Sequence, residues 1–368
     1  MIRTRHTLVI GILGALAVTG ALLAAGYHFG LARVLGARAA SSSSLTDLAP
    51  ADSDLVLYAD LATLRASPLL QPLQSIASNT QQDAEYTAFV RASGFDYERD
   101  LDRFVVVSRK KAAGGPNEVI VVGEGRFDQD RIRAYALANG TLEHRGSKEI
   151  FLVKSDTQGK IIALTFLSAN RIAISDSGNL DAILSPPAAA TDATLASRVA
   201  RVAGAPLFAV WHTPNLRQDF APGGIQSQQL SDLIRSVRWV GVTVQPMTDR
   251  LRLNIEGECE TSDQAATFDG ALATLRLLAD GMLSSQGMKS KTDPQMLSLL
   301  RQLLYSAAIS HNDRWASLSL DVPEDLLQYA AQHAKQAPTP ATPPAPPAPV
   351  GGSAPPAAAP PPPPAPQR

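Results

Sequence analysis

Along this chain, short apolar runs that read as strands alternate with stretches whose apolar residues fall three and four apart, the spacing of a helix face. "LVLYADL", Leu55 to Leu61, reads as a strand and leads to a helix around Pro68–Ser78 and a second helical stretch around Ala84–Ala92. "FVVVS" from Phe104 pairs naturally with "NEVIVVGEG" from Asn117 across the turn "KKAAGGP". The helix "DQDRIRAYALANG" is capped by Asp128 and stops at Gly140. "EIFLV", "IIALTFL" and "RIAIS" follow as strands, and then a short helix, "NLDAIL".

The second half repeats that order. "LFAVWHT", Leu207 to Thr213, leads to the helix "QQLSDLIRSV", and "WVGVTVQ" pairs with "RLRLNIEGE" through "PMTD". The helix from Ser262 sets Phe268, Leu272, Leu275, Ala279 and Met282 on one apolar face, and Met296, Leu299, Leu303 and Ala307 do the same on the next. A strand "WASLSLDV" and a helix "EDLLQYAAQH" close the unit. The closing segments also align, "SANRIAIS" before "LDAIL" with "HNDRWASLSL" before "EDLLQ". The expected fold is therefore α+β: two similar units, 51–185 and 205–335, each with an antiparallel sheet and helices packed on one face.

The ends break the pattern. Thr7 to Gly26 carries no charge and is long enough to cross about 30 Å of hydrocarbon as a helix. Secretory signals have a shorter apolar region, and the cleavage-like "ARA" at Ala37–Ala39 lies well beyond this run, so 1–27 is expected to be an uncleaved transmembrane anchor. No cysteine stands directly after the run, which excludes a lipoprotein anchor there. Arg3 and Arg5 precede it and Arg33 and Arg38 follow, a near tie. The short N-terminal tail and large C-terminal part put the folded part outside the cytoplasm, on a single-pass protein of the inner membrane. Gly11, Ala15 and Thr19, four apart, would let two anchors pack closely. Linkers are expected over 28–50 and, rich in Pro and Ala, over 186–204. The tail, 336–368, contains "PPPPP" at Pro360–Pro364 and is expected to stay solvated in polyproline II. At about 3.1 Å per residue it reaches on the order of 100 Å. It reads as a disordered spacer, or as a ligand for a protein partner or a tether through the cell wall.

Charge narrows the partners. Lys plus Arg number 33 and Asp plus Glu 34, for a net charge of −1. That balance argues against a nucleic-acid binder, which needs a basic face. The single cysteine, Cys259, forms no intramolecular disulfide and shares the parity of Leu251, Leu253 and Ile255, the buried side of a strand.

"VIVVGEGRFDQDRI" offers Gly123-Glu124-Gly125 between strand and helix, the setting of a dinucleotide fingerprint, but Asp128 stands at the third glycine. Glu124 and Asp128 also place negative charge where a pyrophosphate would sit. Ser108 to Lys111 matches S-x-x-K formally, but on a strand leading to a turn rather than on a helix. The histidines are His6, His28, His144, His212, His311 and His333; none has H-x-x-x-H spacing, although His212 and His311 fall in similar strand-end regions. Asp96 to Arg103 lacks the glycine of a calcium loop and reads as a salt-bridged loop. Trp211, Trp239 and Trp315 lie in strands and read as core. Thus no catalytic, cofactor or metal residue is assigned, and no cofactor is expected.

"LAPADSDLVLYADLATLRASPL", "GRFDQDRIRAYA" and "LSANRIAISDSGNLDAIL" resemble uncharacterised families of membrane-anchored bacterial envelope proteins, over roughly Leu45 to His333. The resemblance implies an envelope location and carries over no site residues. The functional expectation is a non-enzymatic, membrane-anchored interaction or scaffolding module. The alternative is an envelope hydrolase whose residues converge only in the folded chain.

Overall fold

The structure, a computed structural model, describes residues 43–71, 84–110, 117–154, 161–184, 193–213, 236–290 and 292–334. The expected anchor, the tail, and the helix "QQLSDLIRSV" up to position 235 lie outside the described residues. Among the described residues no helix is long and apolar enough to cross a membrane.

The first half supplies β1 (Ser53–Asp60), β2 (Leu101–Arg109), β3 (Glu118–Gly125), β4 (Gly140–Arg145), β5 (Lys148–Lys154), β6 (Ile161–Ser168) and β7 (Arg171–Ser175). The second supplies β8 (Leu207–His212), β9 (Val237–Pro246), β10 (Arg250–Cys259), β11 (Ala308–Asn312) and β12 (Trp315–Pro323). All belong to one 12-stranded sheet, in the order β11-β12-β10-β9-β8-β1-β2-β3-β7-β6-β5-β4. The protein is α+β with a large antiparallel sheet. Two sheets were expected; instead β1 pairs with β8, Leu57 opposite Ala209, and the halves fuse. Both strands are apolar on both sides, and pairing them removes two edges that would otherwise stand open.

Register makes the continuity explicit. Ile309, Leu318, Ile255, Val242, Ala209, Leu57, Val106, Val121, Ile174, Leu164, Phe151 and Leu142 are successive cross-strand partners from one edge to the other. Every member is apolar, and all point to one side, face A, because opposed residues share a face. A neighbouring row on face B runs Ser319, Asn254, Thr243, Phe208, Tyr58, Val105, Val122, Ala173. It is polar in the second half and apolar in the first.

That difference decides where the helices go. Face A is covered by α2 (Leu61–Ala66), by α10 (Pro294–Ser306) and by α11 (Glu324–Ala334), through Leu64, Leu299, Leu303, Leu326 and Leu327. Face B is covered by α1 (Ser43–Thr46), α6 (Asp181–Leu184) and α7 (Ala193–Val202), whose Leu45, Ile183, Leu195, Val199 and Val202 pack on Val56, Tyr58, Phe208 and Val210. Helices on one face were expected; both faces carry them, because β1, β2 and β3 are apolar on both sides and each side needs cover. For the same reason "LDAIL" (α6) and "EDLLQ" (α11) lie on opposite faces despite their alignment. Thr243, Asn254 and Ser319 offer α11 nothing apolar on face B.

Three further corrections follow. The stretch 186–204 read as a linker contains α7, whose Leu195, Val199 and Val202 form a buried stripe hidden in an Ala-rich composition. Asp96 to Arg103 is no loop: Asp96 caps α4 (Tyr97–Asp100), accepting from the Glu98 N–H at 2.9 Å, and β2 follows. Strand β4 went unread because Thr141, Glu143, His144 and Arg145 lack an apolar face; paired on one side only with β5, it is a charged edge that discourages further pairing.

Candidate functional site

Four more helices complete the setting: α5 (Gln129–Ala138), α3 (Ala84–Ser93) packed near it, α8 (Ser262–Ser284) and, beside the last, α9 (Gln286–Lys289). Asp128 caps α5, its carboxylate accepting from the Arg131 N–H at 3.1 Å.

On face B the register creates two corresponding rows at opposite ends of the sheet. One is Asp60–Arg103–Glu124–Arg171, the other His212–Trp239–Glu258–Trp315. In the first, Arg103 Nη2 lies 3.0 Å from Glu124 Oε2 and Arg171 Nη2 3.3 Å from Oε1, where Asn170 also donates at 3.4 Å. The Tyr58 ring stacks on Phe208 with centroids 5.1 Å apart. Burial, reinforced by Asp60, pushes the Tyr58 hydroxyl up to about 12, so it remains a neutral phenol.

In the second row the flanking arginines are replaced by tryptophans, and guanidiniums come from elsewhere. Arg198 of α7 donates from Nε to Glu258 at 2.6 Å and stacks 4.6 Å over Trp239; Arg314 reaches Glu258 at 3.1 Å. Arg201, one turn on, lies 4.0 Å over Trp315 and 2.9 Å from Glu256. The His212 ring packs 4.8 Å from Trp239, and burial lowers its pKa against the pull of Asp54. In both rows the glutamate is held by two guanidiniums, while Asp60 accepts from the Thr63 N–H at 2.9 Å and caps α2. The arrangement ties strands and helix together rather than aiming a base into a cleft.

The sequence motifs resolve on this frame. Gly123-Glu124-Gly125 is the end of a strand; a Cβ on Gly125 would lie 2.2 Å from the Asp100 carbonyl, so close backbone approach and no phosphate explains that glycine. Ser108 sits in β2, and Lys111 lies outside the described residues. His212 points to face B and His311 to face A, with β9, β10 and β12 between their strands, so the two do not meet. His311 Nδ1 instead pairs with Asp269 at 2.8 Å, and His144 is exposed on β4. Cys259 is buried, its thiol pushed up by burial and by Glu258. The tryptophans are half-buried. Among the described residues no group of three His, Cys, Asp or Glu is placed to hold a metal.

Among the described residues two open clefts stand out. One, of about 640 Å³, is lined by Phe127, Gln129, Arg133, Lys148, Phe166 and Ser168. Its cations are engaged: Arg133 lies 3.3 Å from Glu149 and 5.3 Å over Phe166, and Lys148 donates to the Leu167 carbonyl. The other, of about 410 Å³, lies beside Asp249, Arg250 and Asp321. Hydrogen bonding from Arg252 holds the Asp321 carboxyl below its ordinary range.

The most distinctive surface is α8. Its expected buried stripe is rotated: Ala265 and Leu283 are buried, but Leu275 is 41% exposed and Met282 48%, with Leu277 at 70% and Leu278 at 59%. The rotation follows from how the helix is held. Asp269 binds His311, Arg276 Nη1 donates to the Ala307 carbonyl at 3.0 Å, and Asp280 accepts from the Tyr305 hydroxyl at 3.2 Å. Asp269, Arg276 and Asp280, the charged residues between Thr267 and Met282, each bond toward β11 or the end of α10, while Leu275, Leu277 and Leu278 turn outward. Sequence reasoning missed this, since periodicity finds an apolar stripe without saying whether it is covered. It also missed the paired glutamates, though the dipeptide Gly-Glu at 123–124 and 257–258 marks both.

No family model matches the chain, and no curated protein matches it. Among solved structures the chain is similar to TP0453: crystal form I at 7% identity, covering 79% of this chain and 97% of that one, TM-score 0.39. Crystal form III is similar at 7% identity, covering 80% and 99%, TM-score 0.40.

Proposed function

We propose that this chain is a membrane-tethered, non-enzymatic interaction module of the cell envelope. In this reading 1–27 is the anchor, the folded part lies outside the cytoplasm, and 336–368 is a solvated spacer. The folded part is two copies of one α+β unit, joined at β1–β8. Strand order supports the duplication: outward from that pair, β1-β2-β3-β7-β6 runs opposite β8-β9-β10-β12-β11. So does the recurrence of a glutamate, Glu124 and Glu258, at one position of that shared lattice.

The observation that carries the interaction reading is the uncharged outer face of α8. Exposed leucines gathered on one helix face, rather than scattered singly, support a surface of contact. The test replaces Leu277 and Leu278 by Asp in the full chain and expresses it in place of the parent. Both side chains face solvent, so the fold should persist by circular dichroism while the function of the gene is lost. Retained function would show that this face is not the working surface.

A further inference from the structure

We infer that the partner of the α8 face is lipid: the helix lies on the surface of the bilayer that anchors the chain. This rests on the reading of 1–27 as an anchor. Charge favours it first. A face whose three charged residues are each bonded to β11 or the end of α10 offers little electrostatic handle to a charged protein surface, whereas Leu275, Leu277, Leu278 and Met282 suit the acyl–headgroup boundary. Area favours it second. From Thr267 to Met282 the face is about 24 Å long and about 10 Å wide, on the order of 250 Å². A stable protein pair buries about 800 Å² per partner. So small a face holds only a surface already kept close, as a tether on the same membrane keeps it.

Reach is the third argument. Positions 28–42, between the expected anchor and α1, number 15 residues, and a chain of that length spans at most about 50 Å. Helix α1 packs on face B of the central strands and α8 on face A of β10, β11 and β12, so the tether runs about 25 Å along the sheet and about 20 Å round it to the other face, which is within that reach. The tether therefore lets α8 lie flat on the bilayer. Since no cation takes part, contact needs no anionic lipid and persists at high salt.

The test uses the full chain with Cys259→Ala, reconstituted into phosphatidylcholine vesicles. A nitroxide is attached in turn through Leu278→Cys, through Ser310→Cys on face B, and through Leu13→Cys in the anchor. Collision with oxygen reports lipid, and collision with an aqueous nickel chelate reports water. At Leu278 the oxygen-to-nickel ratio is expected to exceed that at Ser310 several-fold, unchanged in 0.5 M salt. If Leu278 reads like Ser310 while Leu13 reads lipid, lipid contact is overturned and the anchor stands. If Leu13 reads water while Leu278 reads lipid, the anchor falls and the contact stands without it. Two aqueous readings overturn both. Dipolar broadening between labels at Leu278 would assign the face to a second copy, and that too overturns the proposal.

Discussion

Two glutamates, Glu124 and Glu258, govern how the strands flanking the central pair are held. Glu124 is nearly buried and held by Arg103 and Arg171. Removing one partner of such a pair leaves a desolvated charge uncompensated, at a cost of about 3 kcal/mol. Arg103→Leu is therefore expected to lower the urea-unfolding free energy by that amount, and adding Glu124→Leu should restore part of it. A double variant as unstable as the sum of the singles would contradict the pairing. His212 gives a pH dependence. Its folded pKa lies below the unfolded value, so as pH falls through about 6.5 the unfolded chain takes up the proton first. Stability present above that pH is lost below it. Thermal melts at pH 7.5 and 5.5 should show a smaller loss for His212→Asn than for the parent; equal losses would remove His212 from the account. None of these roles was legible residue by residue. Asp128 and Cys259 were, because capping and strand parity are local, whereas Glu124 takes its meaning from strands tens of residues away.

Among the elements, α7 shows the limit of composition. Its Ala-rich stretch read as linker, yet Leu195, Val199 and Val202 bury on one side, and Arg198 and Arg201 clamp two tryptophans on the other. The two clamps are unequal. Arg201 is partly exposed, so Arg201→Ala is expected to cost about 1 kcal/mol, the scale of an open cation–π contact. Arg198→Ala leaves buried Glu258 with Arg314 alone and should cost about 3 kcal/mol. Amide exchange in α7 reads the difference as faster local opening; equal exchange in both variants would mean apolar packing alone holds the helix. Strands were the most legible elements, since β-branched runs such as "FVVVS" can do little else. Helix α8 was legible as a helix and misread as core, because a stripe of leucines looks the same covered or bare.

At the scale of the whole molecule, the repeating rhythm of elements was plain in the sequence, but their joining into one sheet was not. The β1–β8 pairing is non-local, and no pattern within either half announces it. A single sheet fixes α7 on one face and α8 on the other and gives the chain one rigid body to carry its exposed helix. The central claim is that this body works from a membrane tether. The most direct measurement replaces Thr7–Gly26 with a cleavable secretory signal, so that the folded part is exported and released. The account predicts loss of function with the fold intact, and recovery when an unrelated transmembrane helix is fused in its place. Full function from the released protein would contradict it.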